Sequence, residues 1–307
     1  MGKGVKVLIV GLPLFAERLQ NKLARFDKKG TYIHLNTYYN RWHRIKAFFT
    51  ISKVDIVFSI NGNNTTSRLF DRTLKKRKTL IMNWVGSDVT RAVATYKKGE
   101  ANQTYMKDAV HFCEVNWIQD ELKHANIDAE ICNFVSFDRR FEAKNPGNER
   151  LKVLSYISES RADFYGANEF IRLAEAFPNV HFVVAGSELN EYQLPENLKA
   201  LGWVEDMSAI YDQVDVCVRY PKHDGLSSFI LESLARGKHT LYKYPFNQCI
   251  HCPEEDNLHK AIEALNHLHV QKVLQPHTDG MKFIEEGFNT ETILGNLLAK
   301  FKSLRDA

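Results

Sequence analysis

The chain has 307 residues, a length that suits two domains. Its 44% hydrophobic and 25% charged residues exclude a disordered chain, and its longest apolar run, Val7–Ala16, is interrupted by Gly11 and Pro13 and is too short for a membrane span. The charge is uneven, since residues 1–150 hold 26 Lys and Arg against 15 Asp and Glu. This basic half predicts an anionic partner, such as a phosphate or anionic lipid, with a merely solubilising surface as the alternative.

The five cysteines indicate a reducing compartment. Their number is odd, and Cys113 and Cys217 lie inside apolar runs, a pattern typical of buried thiols rather than of a disulfide framework. No cleavage site for a signal peptide follows the first apolar run. We therefore expect a cytoplasmic protein, with the inner face of the membrane as a further place where the basic half would hold it.

The first half alternates short apolar runs with amphipathic stretches. Continuous apolar runs are typical of strands that are buried on both faces of a parallel sheet, and apolar residues at helical spacing indicate helices between them. The predicted strands are Val5–Val10, Tyr32–Leu35, Asp55–Ile60, Leu80–Met82, Ala109–Cys113 and Ala129–Val135, and the predicted helices include Leu14–Phe26, Ile45–Phe49 and Trp117–Ala125.

A linker and a second series of strands and helices follow. Asn145–Asn148 reads Asn-Pro-Gly-Asn, which predicts a linker between a domain at 1–145 and a domain at 146–307, with a terminal helix that is free to pack back on the first. Asp206 is a predicted helix cap. The predicted strands are Leu151–Ile157, Val180–Gly186, Val214–Val218 and His239–Tyr242, and the predicted helices are Ala167–Phe177, Leu226–Ala235 and those after Glu254.

Two such series predict two Rossmann-like, doubly wound α/β domains facing across a cleft. Ligands of these sheets bind beyond the carboxyl ends of the strands, where the strand order reverses. The loops that follow the predicted strands are therefore the first places to look for functional residues.

The segment from Asp215 to Lys238 carries the most chemical information. A predicted strand leads into a loop with Arg219, Lys222 and His223, and a helix is predicted to open at Gly225, Leu226, Ser227 and Ser228. Free N–H groups at a helix start attract an anion such as a diphosphate. Asp224 and Glu232, eight residues apart, could accept hydrogen bonds from sugar hydroxyls; the alternative is that they are a helix cap and a solvated helix residue.

This segment resembles the signature of retaining GT-B glycosyltransferases, in particular family 4, in its short bacterial members. Two acids eight residues apart precede a helix that ends in small-x-Gly, with Asp224 replacing the first Glu. The strand ending at Gly186 and the Leu201–Val204 element resemble the family's donor-nucleotide contacts. In the first half, Trp84–Val89 and Asn116–Leu122 resemble acceptor-domain elements.

The resemblance implies a nucleotide diphosphate sugar as donor substrate, with no cofactor and no metal. Asp224, Arg161, Arg219 and Asp88 are the implied or candidate catalytic residues, with Asp88 on the acceptor side. The expected donor-binding residues are Glu232 at the ribose, Gly225, Leu226, Ser227 and Ser228 at the diphosphate, Gly186, Gly202, Trp203 and Val204 near the nucleotide, Lys222 as a cation, and Gly11 in the loop after the first strand.

Two departures from the family pattern open an alternative. Tyr165 stands where a Lys is expected, and Asp224 replaces a Glu. Departure of a nucleotide needs positive charge on the developing diphosphate, which Arg219, Lys222 or Lys243 could supply in place of the Lys. The sequence thus predicts a retaining transferase that acts on a glycan or lipid-linked acceptor and not on nucleic acid. The alternative is a degenerate nucleotide-sugar-binding module or a partner subunit of an active transferase.

Overall fold

A computed structural model of the chain describes residues 4–306, which form two compact units. The first unit contains the residues up to Ser136, the short segment Asp224–Leu226 and the C-terminal segment from Thr290. The second contains Phe137–His223 and Ser227–Asn289. The predicted linker at Asn145–Asn148 lies within the second unit, where it forms neither helix nor strand and its residues are exposed or half-buried.

Strands and helices alternate through most of the chain. The strands are β1 (Lys6–Gly11), β2 (Thr31–His34), β3 (Ile56–Ile60), β4 (Thr79–Trp84), β5 (Val110–Cys113), β6 (Glu130–Ile131), β7 (Lys152–Tyr156), β8 (His181–Ala185), β9 (Leu198–Ala200), β10 (Val216–Arg219), β11 (His239–Tyr242) and β12 (Ile250–His251). The helices are α1 (Pro13–Phe26), α2 (Arg41–Thr50), α3 (Arg68–Lys75), α4 (Ser87–Lys97), α5 (Gln103–Asp108), α6 (Asn116–Lys123), α7 (Ala167–Ala176), α8 (Met207–Tyr211), α9 (Ser228–Ala235), α10 (Glu255–Val270), α11 (Thr278–Gly287) and α12 (Thr290–Asp306). Short 3₁₀ turns lie at Ile51–Lys53, Glu159–Arg161 and Asp163–Tyr165.

The first unit is built on a parallel sheet of six strands in the order β2-β1-β3-β4-β5-β6. β3 and β4 carry almost wholly buried side chains because helices cover both faces of such a sheet. The order reverses between β1 and β3, which pair from Val7 with Ile56 to Gly11 with Ile60. This reversal places the expected ligand site of the first sheet beyond Gly11 and Ile60.

Helix α12 completes the core of the first unit. The ring of Phe301 is fully buried and meets the ring of Phe58 on β3 edge-on, with their centroids 5.5 Å apart. Lys300 Nζ pairs with Glu130 Oε1 on β6 at 2.5 Å. The last helix of the chain therefore belongs to the same core as its first strands.

The second unit has its own parallel sheet of six strands, in the order β12-β11-β10-β7-β8-β9. Its core joins side chains of β7, β8 and β10 to those of α7 and α10, including Phe170 and Phe182, whose rings meet edge-on at 5.4 Å. The strand order reverses between β7 and β10. The loops after Tyr156 and Arg219 are therefore the expected ligand loops of this sheet.

The structure confirms the predicted alternation and corrects some of its bounds. β11 spans the predicted residues, and Asp206 caps α8 by accepting a hydrogen bond from the Ser208 N–H at 2.9 Å. The helix predicted from Leu226 instead begins at Ser228, and Gly225, ahead of it, packs against the Val85 carbonyl of the first unit. The strand predicted at Ala129–Val135 is limited to β6, and β9 and β12 were not predicted.

Candidate active site

Arg219 and Tyr165 lie against each other at the carboxyl edge of the second sheet. Arg219 ends β10 and is only 7% exposed; its Nη1 donates to the carbonyl of Tyr156, at the end of β7, at 3.1 Å. Its guanidinium lies over the Tyr165 ring, 4.7 Å from the centroid. A cation at this distance from an aromatic face is attracted by the ring quadrupole, so Tyr165 helps to orient Arg219.

Arg161, the second arginine among the candidate catalytic residues, lies near the same tyrosine. Its guanidinium lies 3.8 Å from the Phe164 ring centroid and 5.9 Å from that of Tyr165. The residue that replaces the expected Lys is thus an aromatic ring shared by two arginines. The structure brings Arg161 and Arg219 together at the point where the strand order reverses.

Lys222 and Lys243 have other partners. Lys222 Nζ forms an ion pair with Asp163, and this contact raises the pKa of the lysine and lowers that of the aspartate. Lys243 Nζ lies 4.8 Å from the Tyr220 ring centroid. Of the cations that could replace the missing Lys, Arg219 is the one held directly against Tyr165.

Gly186 and Gly202, the predicted nucleotide contacts, lie side by side at the end of β8. The Gly186 N–H donates to the Gly202 carbonyl at 2.7 Å, and the Glu159 N–H donates to the Gly186 carbonyl at 3.1 Å. Trp203 follows with 79% of its side chain exposed, and Val204 is half-buried. An exposed indole and backbone groups at the carboxyl edge of a sheet form a surface on which a planar base can lie.

Helix α9 supplies the predicted anion-binding N–H groups and Glu232. Ser227 is its N-cap residue but makes no side-chain cap bond, and its carbonyl accepts from the N–H groups of Ile230 at 3.1 Å and Leu231 at 3.2 Å. The N–H groups ahead of these two, at the helix start, have no carbonyl partner within the helix. Glu232 is half-buried in the second turn, and its carbonyl accepts from Arg236 Nη1 at 3.3 Å. Burial, and to a smaller extent the charge of Glu232, raises the pKa of Tyr211.

Asp224, Gly225 and Leu226 are held within the first unit. Trp117 Nε1 donates to the Asp224 carbonyl at 2.9 Å. A Cβ on Gly225 would lie 2.0 Å from the Val85 carbonyl oxygen, so only glycine fits there. These contacts join two segments that the sequence resemblance treated separately, the Asp224 loop and the elements at Trp84–Val89 and Asn116–Leu122.

Asp88, a predicted acceptor-side residue, has its carboxylate enclosed by backbone donors. It is 2% exposed, and its oxygens accept from the N–H groups of Gly62 at 2.7 Å, Gly86 at 2.8 Å and Val85 at 3.2 Å. Burial raises its pKa, and the N–H donors oppose that rise. The geometry favours a positioning function, in which Asp88 fixes the loop after β4, over direct contact with an acceptor.

Glu114 is a functional candidate that the sequence analysis missed. It follows β5 directly, is 5% exposed, and its Oε1 has no hydrogen-bond partner among the described residues. Burial, together with the charges of Asp88 and Asp224, raises its pKa to about 8. The signal that could have revealed it is an acidic residue at the end of a buried strand, where ligand sites of parallel sheets lie.

Gly11 lies at the carboxyl end of β1 in a backbone conformation that favours glycine. Its φ is 102°, and a Cβ there would lie 1.9 Å from the Ile60 carbonyl oxygen. It lines a cavity of about 650 Å³ in the first unit.

Across the part of the chain that the structure describes, no cluster of three or more His, Cys, Asp or Glu side chains could hold a metal ion.

Comparison with solved structures shows the GT-B fold. The chain is similar to Anabaena HepE bound to UDP and glucose, with a TM-score of 0.70 and 13% identity over 97% of this chain and 100% of that one. It is similar to sucrose-phosphate synthase of Thermosynechococcus elongatus, with a TM-score of 0.71 and 10% identity over 98% and 99%. The pneumococcal O-GlcNAc transferase GtfA, bound to UDP and GlcNAc, gives a TM-score of 0.60 and 13% identity over 87% of this chain and 61% of its own length.

No protein-family model and no curated protein sequence matches the chain. At these identities the structural likeness defines the fold of two six-stranded parallel-sheet units, as in GT-B glycosyltransferases. Residues 4–306 contain no helix with the length and apolarity that a membrane crossing requires.

Proposed function

We propose that the protein is a retaining, metal-independent glycosyltransferase that moves a hexose from a nucleoside diphosphate sugar to a glycan or lipid-linked acceptor, in cytoplasmic polysaccharide biosynthesis. The observation that carries this proposal is the Arg219 guanidinium, held against Tyr165 where the strand order of the second sheet reverses. The fold supports it, because solved structures of this fold include transferases bound to UDP or a UDP-sugar.

The donor diphosphate binds to Arg219, Arg161 and the N–H groups that open α9 at Ser227 and Ser228. These donors stabilise the negative charge that develops as the bond from the sugar C1 to the diphosphate oxygen breaks. Backbone donors and guanidinium groups thereby supply the charge that a metal ion supplies elsewhere. Glu232 accepts hydrogen bonds from the ribose hydroxyls, and Asp224 accepts them from the donor sugar.

The acceptor hydroxyl attacks C1 from the face that the diphosphate leaves. Its proton passes to a phosphate oxygen of the leaving group, so the new glycosidic bond and the protonated nucleoside diphosphate account for every atom. This route needs no enzymic base, in agreement with an Asp88 carboxylate whose oxygens accept backbone N–H groups. The anomeric configuration is retained because the attack and the departure share one face.

Loss of the expected Lys leaves a second candidate function, a module that binds a nucleotide sugar without transferring it. Tyr165 carries no charge, so such a module would orient the donor but lack a cation at the diphosphate. The position of Arg219 over Tyr165 favours the transferase, because it returns a positive charge to that place.

The test is sugar-nucleotide hydrolysis and transfer. Wild-type protein is first screened with UDP-, GDP-, ADP- and dTDP-sugars by melting temperature, because a ligand of the folded state stabilises it. We expect Arg219→Ala to lower the turnover rate by about 10²–10³-fold, the effect of losing one stabilising donor of a developing anion. Proton NMR of the product reports whether the anomeric configuration is retained.

Arg172→Ala is the matched control, because this arginine pairs on the surface with Glu255. It should keep the wild-type rate. Binding of a sugar nucleotide with no hydrolysis or transfer to any acceptor would support the binding module. A wild-type rate in both Arg219→Ala and Arg161→Ala would refute the assignment of the two cations.

We also propose a peripheral membrane contact through the basic first half, which includes Lys75–Lys78 and Lys97–Lys98. Each cation near an anionic surface contributes about 1 kcal/mol. Co-flotation with vesicles that contain one fifth phosphatidylserine, lost when Lys75, Lys76 and Lys78 are replaced by Ser, would support this contact. Equal flotation of both proteins would refute it.

A further inference from the structure

A cavity of about 650 Å³ lies in the first unit, at the point where its strand order reverses. Val10 and Gly11 of β1 line one side, and Ser59 and Asn61, at and after the end of β3, line another. Asn61 has a φ of 103°, which is rare for a residue with a side chain and occurs preferentially at functional sites. The fold therefore places a cavity where a ligand of a parallel sheet binds.

The lining of this cavity is polar, apolar and positively charged. Arg44 and Arg68 are its charged residues, and no acidic side chain lines it. The neutral residues include the apolar Ile45, Phe48, Leu69 and Phe70 and the polar Thr37, Ser59, Asn61, Asn63 and Ser67. Two guanidinium groups without a carboxylate beside them favour a doubly charged anion such as a phosphate.

Arg44 is oriented by the loop that precedes its helix. Its Nε donates to the Thr37 carbonyl at 2.8 Å, and its Nη2 donates to the Tyr38 carbonyl at 3.0 Å. These bonds use two N–H groups of the guanidinium and fix its plane, while its other N–H groups can meet a ligand. A pre-oriented guanidinium loses little conformational freedom when an oxyanion binds.

Arg68 occupies a position that helix stability disfavours. It is the first residue of α3, where the helix dipole opposes a cation by about 0.3–1 kcal/mol. The acid of the first turn, Asp71, accepts a hydrogen bond from the Tyr105 hydroxyl. A bound anion at the cavity would explain why a cation is placed there.

The exposed face of α2 continues from the cavity. Trp42, Ile45 and Phe49, three and four residues apart, are 78%, 51% and 64% exposed, and Ile45 also lines the cavity. Such spacing puts the three side chains on one face of the helix. Tyr39, in the preceding loop, is 77% exposed. An apolar surface of this kind, with basic residues beside it, matches an amphipathic anion.

We propose that this cavity binds the phosphate group of an amphipathic acceptor through Arg44 and Arg68, with the apolar part of the acceptor lying along Ile45 and the exposed face of α2. This inference rests on the proposed transferase function and names its acceptor class, an organic phosphate with an apolar chain. A lipid headgroup and a soluble alkyl phosphate share that chemistry.

The test is binding in the absence of any sugar nucleotide. Octyl phosphate, inorganic phosphate and octyl glucoside are titrated into the full chain by calorimetry. We expect octyl phosphate to bind more tightly than either of the others, and Arg44→Ala and Arg68→Ala each to weaken it at least ten-fold. Arg41→Ala, on the same helix but outside the cavity lining, is the matched control and should bind as the wild type does.

A second arm identifies the source of the phosphate. Phosphatidylcholine vesicles with one fifth phosphatidic acid are compared with octyl phosphate, using wild type, Arg44→Ala and Trp42→Ser. If the vesicles bind, and both Arg44 and Trp42 are needed for that binding, the phosphate group belongs to a lipid headgroup. If octyl phosphate binds and the vesicles do not, the ligand is a soluble alkyl phosphate.

Three results would overturn parts or all of the proposal. If Arg41→Ala and Arg44→Ala lose the same affinity for octyl phosphate, the assignment of the phosphate site to Arg44 is refuted. If octyl phosphate and inorganic phosphate bind with equal affinity, the role of the apolar surface is refuted. Nucleotide binding is measured on the same variants. If nucleotides bind normally while octyl phosphate does not bind the wild type, the inference fails and the proposed function stands; the reverse result refutes the proposed function alone.

Discussion

Glu114→Gln should make the stability of the first unit much less dependent on pH. The Glu114 carboxyl is buried near Asp88 and Asp224, and its pKa rises from 4.5 to about 8. Below pH 4.5 the carboxyl is protonated in both the folded and the unfolded chain and costs no stability. Between pH 4.5 and 8 the unfolded chain releases the proton and the folded chain keeps it, so the free energy of unfolding falls as the pH rises.

The size of the effect follows from the pKa difference. Each unit corresponds to about 1.4 kcal/mol, so the wild type should lose roughly 3–4 kcal/mol between pH 5 and pH 8 through this one group. Glutamine has nearly the same shape and no titrating proton, so Glu114→Gln should lack that contribution. Titrating groups distant from Glu114 are common to both proteins and cancel in the comparison.

Urea unfolding at pH 5 and pH 8, followed by tryptophan fluorescence, measures this difference. Three of the four tryptophans, Trp42, Trp84 and Trp117, belong to the first unit, so the signal reports mainly on the unit that contains Glu114. Equal pH dependence in Glu114→Gln and wild type would show that Glu114 is ionised in the folded protein, and would refute its burial as a neutral carboxyl.

Two further substitutions test the local structure of the second unit. Gly166→Ala should destabilise it by roughly 2 kcal/mol or more, because φ is 86° and the new Cβ would lie 2.3 Å from the Tyr220 carbonyl oxygen, whereas Gly287→Ala, with no atom near its Cβ, should change stability little in the same thermal melts. Asp206→Ala should cost about 1 kcal/mol through the lost cap of α8, and Glu205→Ala should not; equal melting temperatures for this pair would contradict the capping assignment.

The strands were predictable because a strand that is buried on both faces consists of a continuous run of apolar residues. Ile56–Ile60 is such a run, and its predicted and observed bounds differ by one residue. Ile250–His251 could not be predicted, because both side chains are exposed and two residues carry no periodicity. The start of α9 was misplaced because a contact with Val85, distant in sequence, holds Gly225 in the first unit.

The candidate site was only partly predictable for a related reason. Residue types, spacing and the family resemblance made Arg219 and Glu232 candidates, but the partners of each side chain depend on tertiary contacts. Lys222 was a plausible free cation until the structure paired it with Asp163, which lies 59 residues away. Arg44 and Arg68 belong to different helices and converge only on the folded cavity.

The most direct test of the account is calorimetric titration of wild type and Glu232→Ala with UDP, GDP, ADP and dTDP. If the second unit holds a sugar nucleotide by its ribose, one nucleotide should bind the wild type, and its affinity should fall about ten-fold or more when the carboxylate is removed, as for hydrogen bonds to charged groups. Failure of all four to bind the wild type, or binding that is unchanged in Glu232→Ala, would contradict the account.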